Sequence, residues 1–246
     1  MMNRTIYLAS KDHVNKGSWF VVGVLKQLGN LYTFHYTNGV KNIKSFKPFY
    51  GMERLDIVYE SSVLFPMFQN RLMSKNRPEY NNLINWLGLD SETSSPLEVL
   101  ALTGGVRATD SYEIFYGIDV DDKGYFEHVF FAHGVKCFDE KDTIDNLEKG
   151  EKLKLALDVQ NEHDPHAVLI RKNEPAISLA YCPRYLSKNI HELLNNSPDN
   201  LSVKVELINK NAPKAYNLLC KITGNIHAVK GFTFMDSEEY KQYTIN

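Results

Sequence analysis

Apolar and polar positions divide the chain into three regimes. Over residues 5–50, short apolar or alternating runs (Thr5–Ala9, Trp19–Leu25, Leu31–Tyr36) are separated by turn signals at Asn15–Gly17, Leu28–Asn30 and Asn38–Gly39. This is the pattern of a β-meander. Over residues 52–102 the spacing becomes helical. Leu64, Phe65, Phe68 and Leu72 recur at helical intervals, and Tyr80, Leu83, Ile84 and Leu87 follow a break at Arg77–Pro78. Ser95 is placed to cap a third helix over Pro96–Leu102, with Pro96 opening it and Glu98 in its first turn. Gly104 and Gly105 stop it, and Asp110–Tyr116 reads as extended.

From Tyr125 the pattern is β again. Glu127–Gly134, Lys152–Asp158, Ala167–Arg171, Ile177–Tyr181, Leu201–Asn209 and Ala215–Gly224 read as strands. A polar stretch follows the first of them, up to Gly150. One amphipathic helix, Tyr185–Leu194, places Leu186, Ile190, Leu193 and Leu194 on one face, with Ser187 or Asn189 as its starting residue. The predicted class is α+β: an N-terminal β-meander with helices, then a small C-terminal β-barrel with one short helix. Residues 117–124, GIDVDDKG, lack the ligand spacing and closing Glu of a calcium loop. They read as a surface hairpin or linker and as the domain boundary, which separates residues 1–117 from 125–231 and leaves 232–246 as a polar tail expected to fray.

Composition changes this picture little. At 246 residues, 43% hydrophobic and 24% charged, the chain has the make-up of a soluble globular protein. No apolar run is long enough to span a bilayer, and the N-terminus carries no signal-peptide core. Cys137, Cys182 and Cys220 are too far apart for a disulfide framework, so a reducing cytoplasm is the expected location. The net charge of −2 hides an asymmetry: residues 1–51 carry seven Lys/Arg against one acid, and 176–231 carry seven against three. Two such segments form either a phosphate-attracting surface or two solvated faces pointing apart. Within the first, Lys16, Lys26, Lys41, Lys44 and Lys47 interleave with nine aromatic residues. Stacking platforms for single strands have this composition, but most of these rings are expected in the core.

Known catalytic signatures are missing. There is no phosphate-cradling GxxxxGK[ST] loop, no kinase HRD or DFG, and no GxSxG. The close pairs His128/His133 and His163/His166 lack accompanying cysteines, so no metal and no other cofactor is expected. A site assembled from distant residues, such as a nuclease's, leaves no local motif to find.

The most concentrated polar stretch is Gln160–Arg171, QNEHDPHAVLIR. Asn161 and Asp164 are residues that bond their own backbone in turns, and Pro165 restricts the chain before a buried strand. Its neighbours are Phe130–Phe138 (FFAHGVKCF), Gly150–Leu157 (GEKLKLAL) and Ile177–Tyr185 (ISLAYCPRY). In this order the four segments resemble the HIRAN domain, a small OB-like β-barrel module found in front of SWI/SNF-type DNA-repair translocases and also alone in bacterial proteins. Asn161, Asp164, Ala167, Pro183 and Arg184 stand at the positions of its N-x-x-D-x-x-A and P-R motifs, over roughly residues 127–224. The resemblance implies binding of single-stranded DNA, with a free 3′ end held by an Arg–aromatic pair on the first strand and an aromatic–Asp pair in the turn. Here these positions carry Lys136 and Cys137, then His163 and Asp164. Lys136 meets phosphate as a point charge rather than a fork, Cys137 cannot stack, and Phe138 follows it. Lys136, Phe138, His163, Asp164, Tyr181 and Arg184 are the candidate nucleic-acid-binding residues.

In the first half, Val22–Tyr36, Leu64–Arg77 and Pro96–Phe115 resemble the N-terminal subdomain of HipA-type toxin kinases, with no catalytic half present. That resemblance implies a binding or regulatory scaffold. Two functions therefore stand side by side: a non-catalytic binder of nucleic acid, single-stranded DNA first, through residues 125–231, and an antitoxin-like scaffold with a protein partner through residues 1–117.

Overall fold

The computed structural model describes residues 4–12, 14, 18–138 and 141–245. The turn signal at Asn15–Gly17 and Lys16 lie outside them. Two compact units are present: Met1–Gly117 with Met235–Asn246, and Ile118–Phe234. Among the described residues, no helix is long and apolar enough to cross a membrane.

The first unit is an antiparallel sheet. Strands β1 (Arg4–Lys11), β2 (Trp19–Leu28), β3 (Leu31–Tyr36), β4 (Val58–Ser61) and β5 (Tyr112–Tyr116) lie in the order β4-β3-β2-β1-β5. The meander appears as predicted from alternation, with Gly29 at φ 59° making the β2–β3 turn. The sequence pattern did not reveal β4. It has only four residues, with Val58 and Glu60 exposed, so no alternation against a core marks it. Helices α2 (Tyr80–Trp86) and α3 (Pro96–Thr103) follow the predicted breaks, whereas the helical spacing from Leu64 to Leu72 yields a single turn, α1 (Pro66–Gln69). At α3 the Ser95 hydroxyl accepts the Glu98 amide at 3.2 Å, and the Glu98 carboxylate accepts the Ser95 amide at 2.7 Å. This is a capping box, closed at the other end by Gly104 at φ 70°. Most of the aromatic run is core: Phe34, Tyr36 and Phe49 pack together at 5.0–6.1 Å. Tyr50 is the exception, at 98% exposed.

The last residues are not a free tail. The Asn38 amide donates to the Lys241 carbonyl at 2.9 Å, and the Tyr243 amide to the Tyr36 carbonyl at 2.8 Å. The Glu239 carboxylate accepts the Val21 amide at 2.7 Å, and Tyr240 packs edge-on against Tyr7. Polarity alone suggested fraying, but the segment instead supplies partners to otherwise open backbone groups of the first unit.

The second unit contains β6 (Tyr125–Phe131), α4 (Lys141–Asp145), β7 (Lys152–Leu157), β8 (Val168–Arg171), β9 (Ser178–Tyr181), α5 (Arg184–Asn196), β10 (Leu201–Ile208) and β11 (Leu218–Asn225). Its six antiparallel strands run β6-β11-β10-β7-β8-β9. The chain beyond β6 then reaches back to the far edge: His133 and Tyr181 exchange backbone hydrogen bonds of 2.9 and 2.8 Å. These two bonds join the ends of the sheet and make it a partly closed barrel. In β6, Phe126, His128 and Phe130 alternate inward and meet Val168, Ile170, Leu179, Val203 and Ile222 in the core. Helix α5 covers that core with Leu186, Ile190 and Leu193 and starts at Arg184, since Pro183 occupies the cap position rather than Ser187 or Asn189. The segment before Gly150 holds α4, hidden in the sequence by its polar surroundings. Of the two forms open for residues 117–124, hairpin or linker, the structure has the hairpin, with the Asp121 carboxylate accepting the amides of Lys123 and Tyr125.

Candidate functional site

The polar stretch at Gln160–His166 is a turn built around one side chain. The Asn161 Oδ1 accepts the amides of both His163 and Asp164 at 3.0 Å, which fixes the loop between β7 and β8. The Asp164 Oδ1 then accepts the His166 amide at 3.0 Å, and the Ala167 amide returns to the Asp164 carbonyl at 3.0 Å. The chain passes from this turn through buried Ala167 directly into β8, whose Val168 is buried. The other face of Asn161 looks across the barrel rim. Its Nδ2 donates to Asp158 Oδ2 at 3.0 Å and lies 3.4 Å from the Tyr181 hydroxyl. That hydroxyl donates to the same Asp158 oxygen at 2.8 Å.

Asp158 therefore ties the turn to the last strand. Accepting hydrogen bonds from Asn161 and from Tyr181 holds its carboxyl below the usual carboxylate range. Partial burial, followed by the bond to Asp158, raises the Tyr181 phenol. Asp158 was not among the sequence candidates. The signal available was its spacing three residues before Asn161, a turn signature, but its second partner is 23 residues away and leaves no local trace.

Around Tyr181 the other candidates gather. The Phe138 ring lies 5.4 Å from the Tyr181 ring at 40°, and Gly134, at φ 67°, passes beneath it. A Cβ at residue 134 would lie 3.2 Å from Tyr181 Cδ2, so Gly there permits both the left-handed backbone and the close ring. Arg184, at the start of α5, donates Nη2 to the His163 carbonyl. Lys136 and Cys137 are exposed in the short 3-10 turn Val135–Cys137, not on the first strand as the resemblance implied, because Gly134 ends the extended backbone. Lys136 has no ion-pair partner among the described residues. The structure thus joins Phe138, Tyr181, the His163–Asp164 turn and Arg184 into one rim patch, with Lys136 in the adjoining turn. The His163 side chain is exposed, while Asp164 is half-buried with one oxygen engaged in the turn.

The remaining histidines and cysteines do other work. His128 points into the core, where burial lowers its pKa to about 4, and its Nε2 lies 3.4 Å from the Tyr185 hydroxyl. His166 and His191 meet edge-on at 5.4 Å. Cys182 and Cys220 are buried, and burial pushes both thiols up, Cys220 to about 12. Among the described residues, no group of three or more His, Cys, Asp or Glu is arranged to hold a metal ion.

Residues 125–227 match the family model of the HIRAN domain. The match coincides with the barrel and marks it as a nucleic-acid-binding domain. Two solved structures are similar to part of the chain. One is a protein from Lactobacillus plantarum (17% identity, TM-score 0.33, covering 41% of this chain and 97% of that one). The other is the HIRAN domain of human HLTF (15% identity, TM-score 0.33, covering 43% and 79%). No curated protein matches the chain.

Proposed function

We propose that the barrel binds single-stranded DNA across the rim patch, with a free 3′ end as the preferred feature, and that the protein acts by binding rather than by catalysis. The observation that carries this reading is the Phe138–Tyr181 ring pair, 5.4 Å apart and anchored through Asp158 to the Asn161 turn. Paired rings on a fixed support give bases a stacking platform that tolerates any sequence. Lys136 and Arg184 flank the rings as cations for the backbone phosphates. Asp164 keeps one carboxylate oxygen clear of the turn's hydrogen bonds, an acceptor suited to a terminal hydroxyl. His163 presents an exposed ring at the position where the family carries an aromatic residue.

Fluorescence anisotropy with labelled oligonucleotides tests this reading. Single strands ending in a 3′-hydroxyl should bind more tightly than those ending in a 3′-phosphate, with affinity falling as salt rises. Equal, negligible binding to both refutes it. A protein partner for residues 1–117 is the second reading. The strand pair and helix that carry the HipA-like resemblance stand as β2–β3 and the capped α3, which supports a scaffold there. A pull-down with the full chain that enriches no kinase counts against it.

A further inference from the structure

The basic, aromatic run over residues 38–50 lies outside the barrel, and the structure divides its members. Most of the rings are core, but Phe46 and Lys47 line an open cavity of about 400 Å³ within the first unit. Its facing wall is Ser10, Lys11 and the segment 108–112 that leads into β5. That volume is within the range of small-molecule sites.

The charges in the cavity are lopsided. Lys11 and Lys47 have no ion-pair partner among the described residues. The one carboxylate among the lining residues, Asp110, is already engaged: its Oδ2 sits 2.6 Å from Arg71 Nη2. The Arg71 side chain is 1% exposed and also donates to the Gly105 carbonyl at 2.6 Å, so this pair is fixed in the wall, with Asp110 on its surface and Arg71 behind it, and is neutral as a unit. Lys11 and Lys47 thus line the cavity as cations without an ion pair, together with the hydroxyl residues Thr109 and Ser111, a set of donors that suits a phosphate.

The apolar surface is aromatic and held rigidly. The Tyr112 ring stands edge-on to Phe49 at 5.4 Å, with the Arg71 guanidinium 5.3 Å from its centroid. Phe46 is held against Tyr36 at 5.8 Å and against Phe49 at 6.1 Å. A planar ring can stack on such a wall without losing side-chain entropy there.

We propose that this cavity is a nucleotide site, with the phosphate on Lys11 and Lys47 and the base against Phe46 and Tyr112. The site belongs to the first unit and does not depend on DNA binding by the barrel.

Isothermal titration of the full chain with deoxyadenosine 5′-monophosphate, deoxyadenosine and ribose 5-phosphate tests it. The monophosphate should bind, Lys11→Ala and Lys47→Ala should each weaken it about 10- to 100-fold, and deoxyadenosine should bind far less well. Phe138→Ala, in the barrel, should leave this titration as it is, so failure of the two sites can be told apart. Absence of binding by the monophosphate, or unchanged affinity in both lysine variants, overturns the proposal. Ribose 5-phosphate binding as tightly as the nucleotide overturns the assignment of the base.

Discussion

Asp158→Ala is the sharpest structural perturbation of the rim. One Asp158 oxygen receives the Tyr181 hydroxyl at 2.8 Å and the Asn161 amide nitrogen at 3.0 Å, and Asn161 in turn holds the His163 and Asp164 amides. A hydrogen bond to a charged acceptor contributes about 1.5–3 kcal/mol. The rim is partly exposed, so water replaces some of the loss, and the net cost should be about 1–3 kcal/mol. That corresponds to roughly 5- to 150-fold in a local opening equilibrium. Hydrogen exchange read by mass spectrometry should show the amides of residues 161–167 exchanging faster by about this factor, while β10 and β11 stay protected. The pH dependence has a definite sign. The folded carboxyl is held below its unfolded value of 3.8, so the stabilisation is present above about pH 4 and is lost as pH falls through the depressed folded value. Asp158→Asn should remove that acid-dependent component. Unchanged loop exchange in Asp158→Ala would refute the claim that this carboxylate couples the turn to Tyr181.

Three further outcomes follow from the same structure. Asp110→Asn leaves the buried Arg71 charge with little beyond the Gly105 carbonyl and should destabilise the first unit by about 3 kcal/mol, read from urea denaturation. Ending the chain after Phe234 removes the partners of the Val21, Asn38 and Tyr36 backbone groups, worth about 3 kcal/mol in all. Limited proteolysis should then cut residues 4–117 faster and spare 118–234. Burial lowers the folded pKa of His128 to about 4, beneath its unfolded value of 6.5. The stability of the second unit should therefore be fully present above about pH 6.5 and fall as pH drops toward 4, with a slope approaching about 1.4 kcal/mol per pH unit. Thermal unfolding of His128→Met across that range should lack the slope.

The parts of the fold written in local chemistry were legible in the sequence. The Ser95 cap of α3, the break at GIDVDDKG, the Asn161 turn and the α5 face each depend on residues within a few positions of one another. What stayed hidden depends on distant pairings. Barrel closure rests on backbone bonds between His133 and Tyr181, 48 residues apart, which no side-chain pattern encodes. The docking of residues 238–243 on the first unit joins the chain's two ends, where polarity alone suggested fraying. At the site, motif resemblance located the turn and the arginine but put Lys136 on a strand, because Gly134 ends the extended backbone at a left-handed residue. Asp158 was invisible for the same reason as the closure: Tyr181 gives it meaning only once the barrel has formed.

The central claim is that the Phe138–Tyr181 pair is a stacking platform for single-stranded DNA. Its most direct test is the affinity of the full chain for a short labelled oligothymidylate, compared between wild type and Phe138→Ala at fixed low salt. Loss of one stacked base is worth about 1–3 kcal/mol, so the variant should bind about 5- to 150-fold more weakly. Equal affinity in the two proteins would contradict the account.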